Sequence, residues 1–462
     1  MEEQDVLKLH DKRLDRVLDK LAGRISEKQT LCLRALSNAR KEEVQFGRFI
    51  GNHKVSVSML EEQLYAQMRN HCSSSHCLLI EDTSKIGFSL ERAIEGLGKV
   101  DKGQIQGFYL HPVLCIDAQH YGCGGIAALE FVKRPWPEQL LSRQAIRTAR
   151  DKTVYEQKEG YRWLSSIQKA LAQCEQVPLK TVVADREADI YPLLTGLTAL
   201  GVDYVIRARF DRFTQGGQTI AAEAESWTRQ HCYELAVPAS DGRSAHRARL
   251  AIKYGKLALK KSASRSLHVQ PDYHPTYVVE VKELPESVVN GQEPIHWVLL
   301  SSHVVDTVAL ALQVIEWYKQ RWNVEQVFRI LKSNGLDIES SQVESYEKLQ
   351  KLSVLALMAA VRVLQLLRAR DDQTEQPMAC AFNEQEQACL ILLNEQLAGK
   401  SQKLQNPYGP SSLAFAAWVI ARLAGWSGYQ SQRPPGPIDL LTGLQRFNER
   451  FQGYQLAKHN TT

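Results

Sequence analysis

The chain has 462 residues, 44% hydrophobic and 24% charged, with a net charge of +5. That length suits two or three domains, each with its own core, and the balance is that of an ordinary globular protein rather than a disordered one. The longest uninterrupted apolar run, Leu413 to Ala421, is well short of the ~20 residues that cross a bilayer, and no apolar signal-peptide core follows the opening MEEQDVLKLHDKR. The expectation is a cytoplasmic chain, nucleoid-associated if it binds DNA, with no membrane partner. Nine scattered cysteines, an odd number, read as reduced thiols rather than a disulfide framework.

Residues 1 to about 70 read as helices. Asp5 to Leu21 carries Leu7, Leu14, Leu18 and Leu21 at helical intervals, Leu31 to Ala35 with a tail to Ile50 continues the pattern, and Ser56 or Ser58 is placed to cap a helix through Met68. Strands then appear: Cys77 to Ile80, ending at Glu81-Asp82-Thr83, followed by Tyr109 to Asp117 and Ile126 to Val132. A helix over Tyr161 to Cys174 precedes a strand, Thr181 to Ala184, that stops at Asp185. A turn and helix from Arg186 to Leu197 and a strand from Tyr204 to Ala208 follow. The alternation implies an α/β layer around a mixed sheet, in which ligand sites gather beyond strand ends, where Asp82 and Asp185 lie.

From about 210 to 295 the segments turn shorter and β-like, including Leu250 to Tyr254 and Thr276 to Val281, as in an insertion. Within it, between Asp241 and Arg265, stand Arg243, Arg247, Arg249, Lys253, Lys256, Lys260, Lys261 and Arg265 against the single acid Asp241, a local field suited to a polyanion or a solvated basic strand face. The sheet pattern resumes at Trp297 to Leu300. Leu349 to Leu367 reads as a buried helix, and Leu413 to Leu423 and Leu440 to Phe451 as helices of a C-terminal unit.

Between sheet and buried helix lies Leu312 to Ser333, uninterrupted by Pro or Gly. On one helix Tyr318, Arg321, Glu325 and Lys332 fall within a ~60° arc, beside an apolar stripe of Trp317, Val324, Phe328 and Leu331 suited to docking on a sheet. Glu325 is then either aimed into a site or merely paired with Arg321 and Arg329 at i±4 spacing. Three carboxylates brought together, Asp82, Asp185 and Glu325, need counter-ions, and hard oxygen ligands favour Mg²⁺ or Mn²⁺. Glu81, Asp117, Glu187 and Asp189 are rival carboxylates. Cys72 and Cys77, with His71 and His76, have poor zinc spacing and read as free thiols.

Tyr318-x2-Arg321-x3-Glu325-x6-Lys332 resembles the Y-R-E-K signature of the insertion-sequence-four family of DDE transposases. Ile80-Glu81-Asp82-Thr83 and Asp185-Arg186-Glu187-Ala188-Asp189 resemble the stretches around that family's first and second catalytic aspartates, and Gly107-Phe108-Tyr109-x-His111 and Val205-x-Arg207-x-Arg209 extend the similarity. The resemblance selects Asp82, Asp185 and Glu325 as catalytic metal ligands for Mg²⁺ or Mn²⁺. It implies DNA contacts at Tyr318, Arg321, Lys332, Arg207 and Arg209, and Trp297 stacking on a flipped base. Its fold would be α/β: a ribonuclease-H-like catalytic core (71–370) with a β-rich insertion (about 210–295), between a helical DNA-binding domain (1–70) and a helical dimerisation domain (371–462).

Its activity would be cut-and-paste transposition by a homodimer on double-stranded DNA: nicking of transposon ends, hairpin formation and opening, and strand transfer into target DNA. Relatives carry a longer lead before the segment that Asp11-Lys12-Arg13 resembles, whereas ten residues precede it here. A shortened relative would act instead as a non-cleaving inhibitor or repressor, and a nuclease without strand transfer is a third reading.

Overall fold

The computed structural model describes the chain except residues 1–8, 10, 73, 102–104, 137–142, 238–243, 264–266, 333–334, 371–373, 400, 430–431 and 460–462. Four helices open it, α1 (Lys12–Lys28), α2 (Leu33–Leu36), α3 (Arg40–Ile50) and α4 (Val57–His71). There follow β1 (His76–Glu81), β2 (Ser84–Phe88), β3 (Gly98–Val100), β4 (Ile105–Asp117), β5 (Cys123–Val132), α5 (Arg143–Lys152), α6 (Arg162–Gln173), β6 (Leu179–Ala184), α7 (Tyr191–Ala199) and β7 (Asp203–Arg207). Then come α8 (Ile220–Ser226), β8 (His231–Val237), β9 (His246–Lys260), β10 (Tyr273–Glu283) and β11 (His296–Ser301). The chain closes with α9 (Val308–Lys319), α10 (Trp322–Lys332), α11 (Tyr346–Ala369), α12 (Glu384–Leu397), α13 (Leu413–Leu423) and α14 (Pro437–His459).

Local chemistry explains the helix starts. The Asp11 carboxylate accepts from the Arg13 N–H at 2.8 Å, and Ser56, rather than Ser58, caps α4 by accepting from the Met59 N–H at 3.1 Å. Expected helix over Asp5 to Leu21 is found only from Lys12, residues 1–8 and 10 lying outside the described part. Leu18, Leu21 and Ile25 bury one face of α1.

All eleven strands join one mixed sheet in the order β2-β4-β1-β6-β7-β11-β10-β9-β8, with β3 and β5 also on β4. β1 runs antiparallel to β4 and parallel to β6, which is parallel to β7. Within the stretch read as an insertion, β8, β9 and β10 continue the central sheet through β11. Its basic run is also less bare than the sequence implied. Arg247 faces Glu234 at 3.6 Å, Arg249 faces Glu286 at 3.1 Å and Lys261 faces Asp272 at 3.0 Å, acids that lie outside the run in sequence; Arg243 and Arg265 fall outside the described residues.

β1 does not end where the polar residues begin. Glu81 pairs with Val113 and, three residues on, Ser84 pairs with Leu110, so β1 and β2 follow one register along β4. The interruption falls at Asp82-Thr83, opposite His111 and Pro112, and the proline has no N–H to offer a ladder.

On one side of the sheet, α11 is the central helix, touched by α1, α4, α10, α13 and α14. Helices from both ends of the chain thus share one apolar core, and the Gln452 amide donates to Glu27 at 3.0 Å across it. By length and composition α11 resembles a membrane span, but it is mostly buried here, as the core helix of a folded domain is.

Candidate active site

The parallel pairing of β1 with β6 sets two acids side by side. Ile80 pairs with Val183, so two residues further on Asp82 and Asp185 leave adjacent strands, whose spacing is about 4.8 Å, at the same edge of the sheet. The third acid comes from the helical side. Arg321 Nη1 lies 2.6 Å from Glu325 Oε1 and 3.3 Å from Asp82 Oδ2, so a single guanidinium bridges the two carboxylates.

The helix that carries Glu325 is not continuous, contrary to the sequence expectation. α9 stops at Lys319 and α10 starts at Trp322, with a tightened turn between: Gln320 and Arg321 donate to carbonyls only three residues back, at 3.0 and 3.1 Å. Side-chain amides satisfy carbonyls freed by the break. That of Asn323 donates to the Gln320 carbonyl at 2.8 Å, and that of Gln320 to the Glu316 carbonyl at 3.3 Å. The break turns Arg321 toward Asp82 and puts Glu325 in the first turn of α10, where the helix dipole favours an anion. Of the apolar stripe, Val324, Phe328 and Leu331 are buried, and α10 packs on α11 rather than on the sheet.

Electrostatics mark Asp82 as the strained member. Burial first, then the charges of Asp185 and Glu325, push its carboxyl up to about 7, against the Thr83 N–H and Arg321, which favour the ionised form. Arg321 is held above its ordinary value: burial acts to lower it, but Tyr318, Glu325 and Asp82 outweigh that. Its Nε is buried without a hydrogen-bond partner. Asp82 and Glu325 share one cation and Asp185 adds a further negative charge, so the set is short of positive charge and its oxygen donors suit hard divalent ions.

The rival carboxylates have other employment. Asp189 is buried, ion-paired with Arg212 at 2.7 Å, and accepts from the N–H groups of Arg209 and Phe210 at 2.8 and 3.0 Å. Asp117 caps the turn after β4 at the opposite end of β1, accepting from the Gln119 N–H at 2.8 Å. Glu187 is exposed and reaches Arg162 at 3.6 Å.

Glu81 points to the other face of β1 into a buried network that the residue patterns alone did not indicate. Its Oε2 accepts from Ser166 at 2.9 Å and lies 3.2 Å from His111 Nε2; His111 Nδ1 is 2.8 Å from the Thr83 hydroxyl, which accepts from Arg162 Nε at 3.2 Å. Burial holds Glu81 well above and His111 well below their ordinary values, so the pair is a neutral hydrogen bond rather than an ion pair. The network anchors Thr83, whose N–H donates to Asp82 at 2.7 Å. His111 was visible only through the family-like segment that contains it, and Arg162 and Ser166 carried no signal.

The remaining sequence candidates lie around the same edge. Leu299 pairs with Arg207 and the Ala208 N–H donates to the Val298 carbonyl at 2.7 Å, which brings Trp297, Arg207 and Arg209 together at the carboxyl end of β7. Arg207 donates to the His296 carbonyl at 2.7 Å, and Arg209 is exposed. Tyr318 is buried with its ring edge-on to Trp297, centroids 5.6 Å apart, so its hydroxyl is not at an open surface here. Lys332 is half-buried, and burial lowers its ammonium. An edge that gathers carboxylates, arginines and an aromatic ring is suited to phosphodiester chemistry on a nucleic acid.

Residues 145–362 match the family model described as the transposase DDE domain, a span that holds Asp185 and Glu325 and begins beyond Asp82. The match supports a transposase. Among solved structures, the piggyBac transposase in a synaptic complex with hairpin DNA is similar at 8% identity and a TM-score of 0.40, covering 96% of this chain and 73% of that one.

Proposed function

We propose that the chain is a cut-and-paste DNA transposase of the insertion-sequence-four family, nearest in its motifs to the transposase of transposon five. It acts on its own element's ends as a homodimer in the cytoplasm, with residues 1–70 binding DNA, 71–370 forming a ribonuclease-H-like catalytic domain and 371–462 serving dimerisation. The observation that carries this reading is the pairing of Asp82 with Asp185 beyond two adjacent parallel strands, with Arg321 linking Asp82 to Glu325. The antiparallel run β5-β4-β1 extended by parallel β6 and β7 supports the core assignment.

In this reading Asp82, Asp185 and Glu325 hold Mg²⁺, or Mn²⁺ in its place. When bound, such ions activate the attacking oxygen and stabilise the leaving oxygen at a phosphodiester. Arg321 and Lys332 bind phosphates flanking the scissile one, with Tyr318 backing Arg321. Arg207 and Arg209 hold the DNA backbone, and Trp297 stacks on an extruded base when the strand folds into a hairpin. The Glu81-His111-Thr83 network keeps Asp82 oriented and excludes water behind it.

The test is incubation of the purified chain with Mg²⁺ and a duplex ending in the inverted repeat found beside its gene. A nick that leaves a 3′-hydroxyl, followed by a hairpin and then joined product, is expected. Nicks alone would identify a nuclease, and tight binding without any cut would identify an inhibitor.

A further inference from the structure

Four of the nine cysteines converge at one place although they come from four elements. Cys72 follows the last turn of α4, Cys77 is near the start of β1, Cys115 is near the end of β4, and Cys174 follows the last turn of α6. The sulfurs of Cys77, Cys115 and Cys174 all lie within 4.8 Å of one another, and Cys72 Sγ lies 3.5 Å from Cys115 Sγ. The strand register explains two of them: Cys77 pairs with Asp117 and Leu79 with Cys115, which makes Cys77 and Cys115 diagonal neighbours on one face of the sheet. α4 and α6 then deliver Cys72 and Cys174 to that face. All four are buried, in a pocket otherwise lined by apolar side chains such as Met68, Val113 and Val177.

We propose that this cluster is a structural zinc site, with Cys77, Cys115, Cys174 and Cys72 as a tetrahedral set of thiolates. Zinc–sulfur bonds of about 2.3 Å put sulfurs roughly 3.8 Å apart in a tetrahedron; Cys77, Cys115 and Cys174 already lie within 4.8 Å of one another, and Cys72, in contact with Cys115, would turn in as the fourth ligand. Soft thiolates select zinc over Mg²⁺ or Mn²⁺. A single disulfide would leave two of the four unused; two bridges, Cys72–Cys115 and Cys77–Cys174, would use all four and are the competing outcome of a thiol count. Lys180, the β6 partner of Cys77, supplies a nearby positive charge for an anionic tetrathiolate centre. The ion would tie α4 and α6 to β1 and β4. It would do so about 16 Å along β1 from Asp82, too far to join the chemistry there.

The full-length protein, purified under reductant without chelator and dialysed against metal-free buffer, is expected to retain one zinc per chain. Titration of zinc-stripped, reduced protein with Co²⁺ should give the intense visible bands and sulfur-to-cobalt charge transfer of a tetrahedral thiolate site. Cys115→Ser and Cys174→Ser should lose the zinc and these bands, whereas Glu325→Ala should keep both, which separates this site from the carboxylates. Absence of thiolate bands on cobalt titration of the wild-type chain overturns the proposal without relying on any variant. So does a denatured, non-reduced protein two or four thiols short of the nine in the sequence, the result expected of one or two disulfides.

Discussion

The two ends of β1 present opposite chemistry on one short stretch of backbone. At the carboxyl end, Asp82 sits with Asp185, Glu325 and Arg321 at an edge open to a polyanion; at the amino end, Cys77 sits with three thiols under two helices. Oxygen donors with partial exposure suit ions that exchange with substrate, whereas buried sulfur suits an ion that never leaves. A parallel sheet edge collects functional groups because the chain turns away there, while the far end of the same strand is free to serve stability.

The contrast is best broken by changes that strike one end alone. Glu325→Ala should lower Mg²⁺-dependent cleavage of a transposon-end duplex by on the order of 10³-fold or more, with end binding and thermal midpoint nearly unchanged. Surviving cleavage would remove Glu325 from the catalytic set. Asp189→Ala, at the same edge but bound into the fold by Arg212 and two backbone N–H groups, should instead cost about 3–5 kcal/mol in urea melts, because it strands a partly buried guanidinium. Equal stability with lost cleavage would make Asp189 a chemical participant.

A third change addresses the charge stored at the open end. A carboxyl that folding raises contributes stability below its unfolded value, ~3.9, and loses that contribution as pH climbs through the folded value. For Asp82 the folded value is about 7. The metal-free protein should therefore weaken between roughly pH 4 and 7 on this account, and Asp82→Asn should stabilise it at pH 8 by about 1–3 kcal/mol. The advantage should shrink as the pH falls, in melts followed by circular dichroism with chelator present; a constant advantage would point to packing instead. Smallest is Trp297→Ala, for which nicking should persist while hairpin yield drops about tenfold on denaturing gels. Equal loss of both steps would assign Trp297 to folding.

Much of this was legible from residue order. Helical and alternating periodicity placed most long elements, and two aspartates after short apolar runs marked the ends of β1 and β6. Three things were not legible, each because it depends on pairing partners remote in sequence. β2 hides in a polar, glycine-punctuated stretch and is held as a strand by β4. That β8 to β10 continue the central sheet is hidden, since nothing local says that β11 joins them to β7. The meeting of Cys72 and Cys77 with Cys115 and Cys174 is hidden because the latter two are far along the chain, and only the fold closes that distance. The break at Gln320 was invisible for a different reason: no helix-breaking residue marks it, and side-chain amides rather than proline or glycine sustain it.

The bridge made by Arg321 has a consequence for the order of events. One guanidinium spans Asp82 and Glu325, and it cannot serve both of them and a phosphate at full strength. A cation held by the two acids would take over that duty and free the arginine, and a phosphate that drew the arginine away would leave the acids wanting a cation. Each arrival lowers the cost of the other, by the same factor in either direction. On the proposed function, loading of metal and capture of a DNA strand would then be two halves of one cooperative step, with Asp82 and Glu325 held by the arginine until it begins.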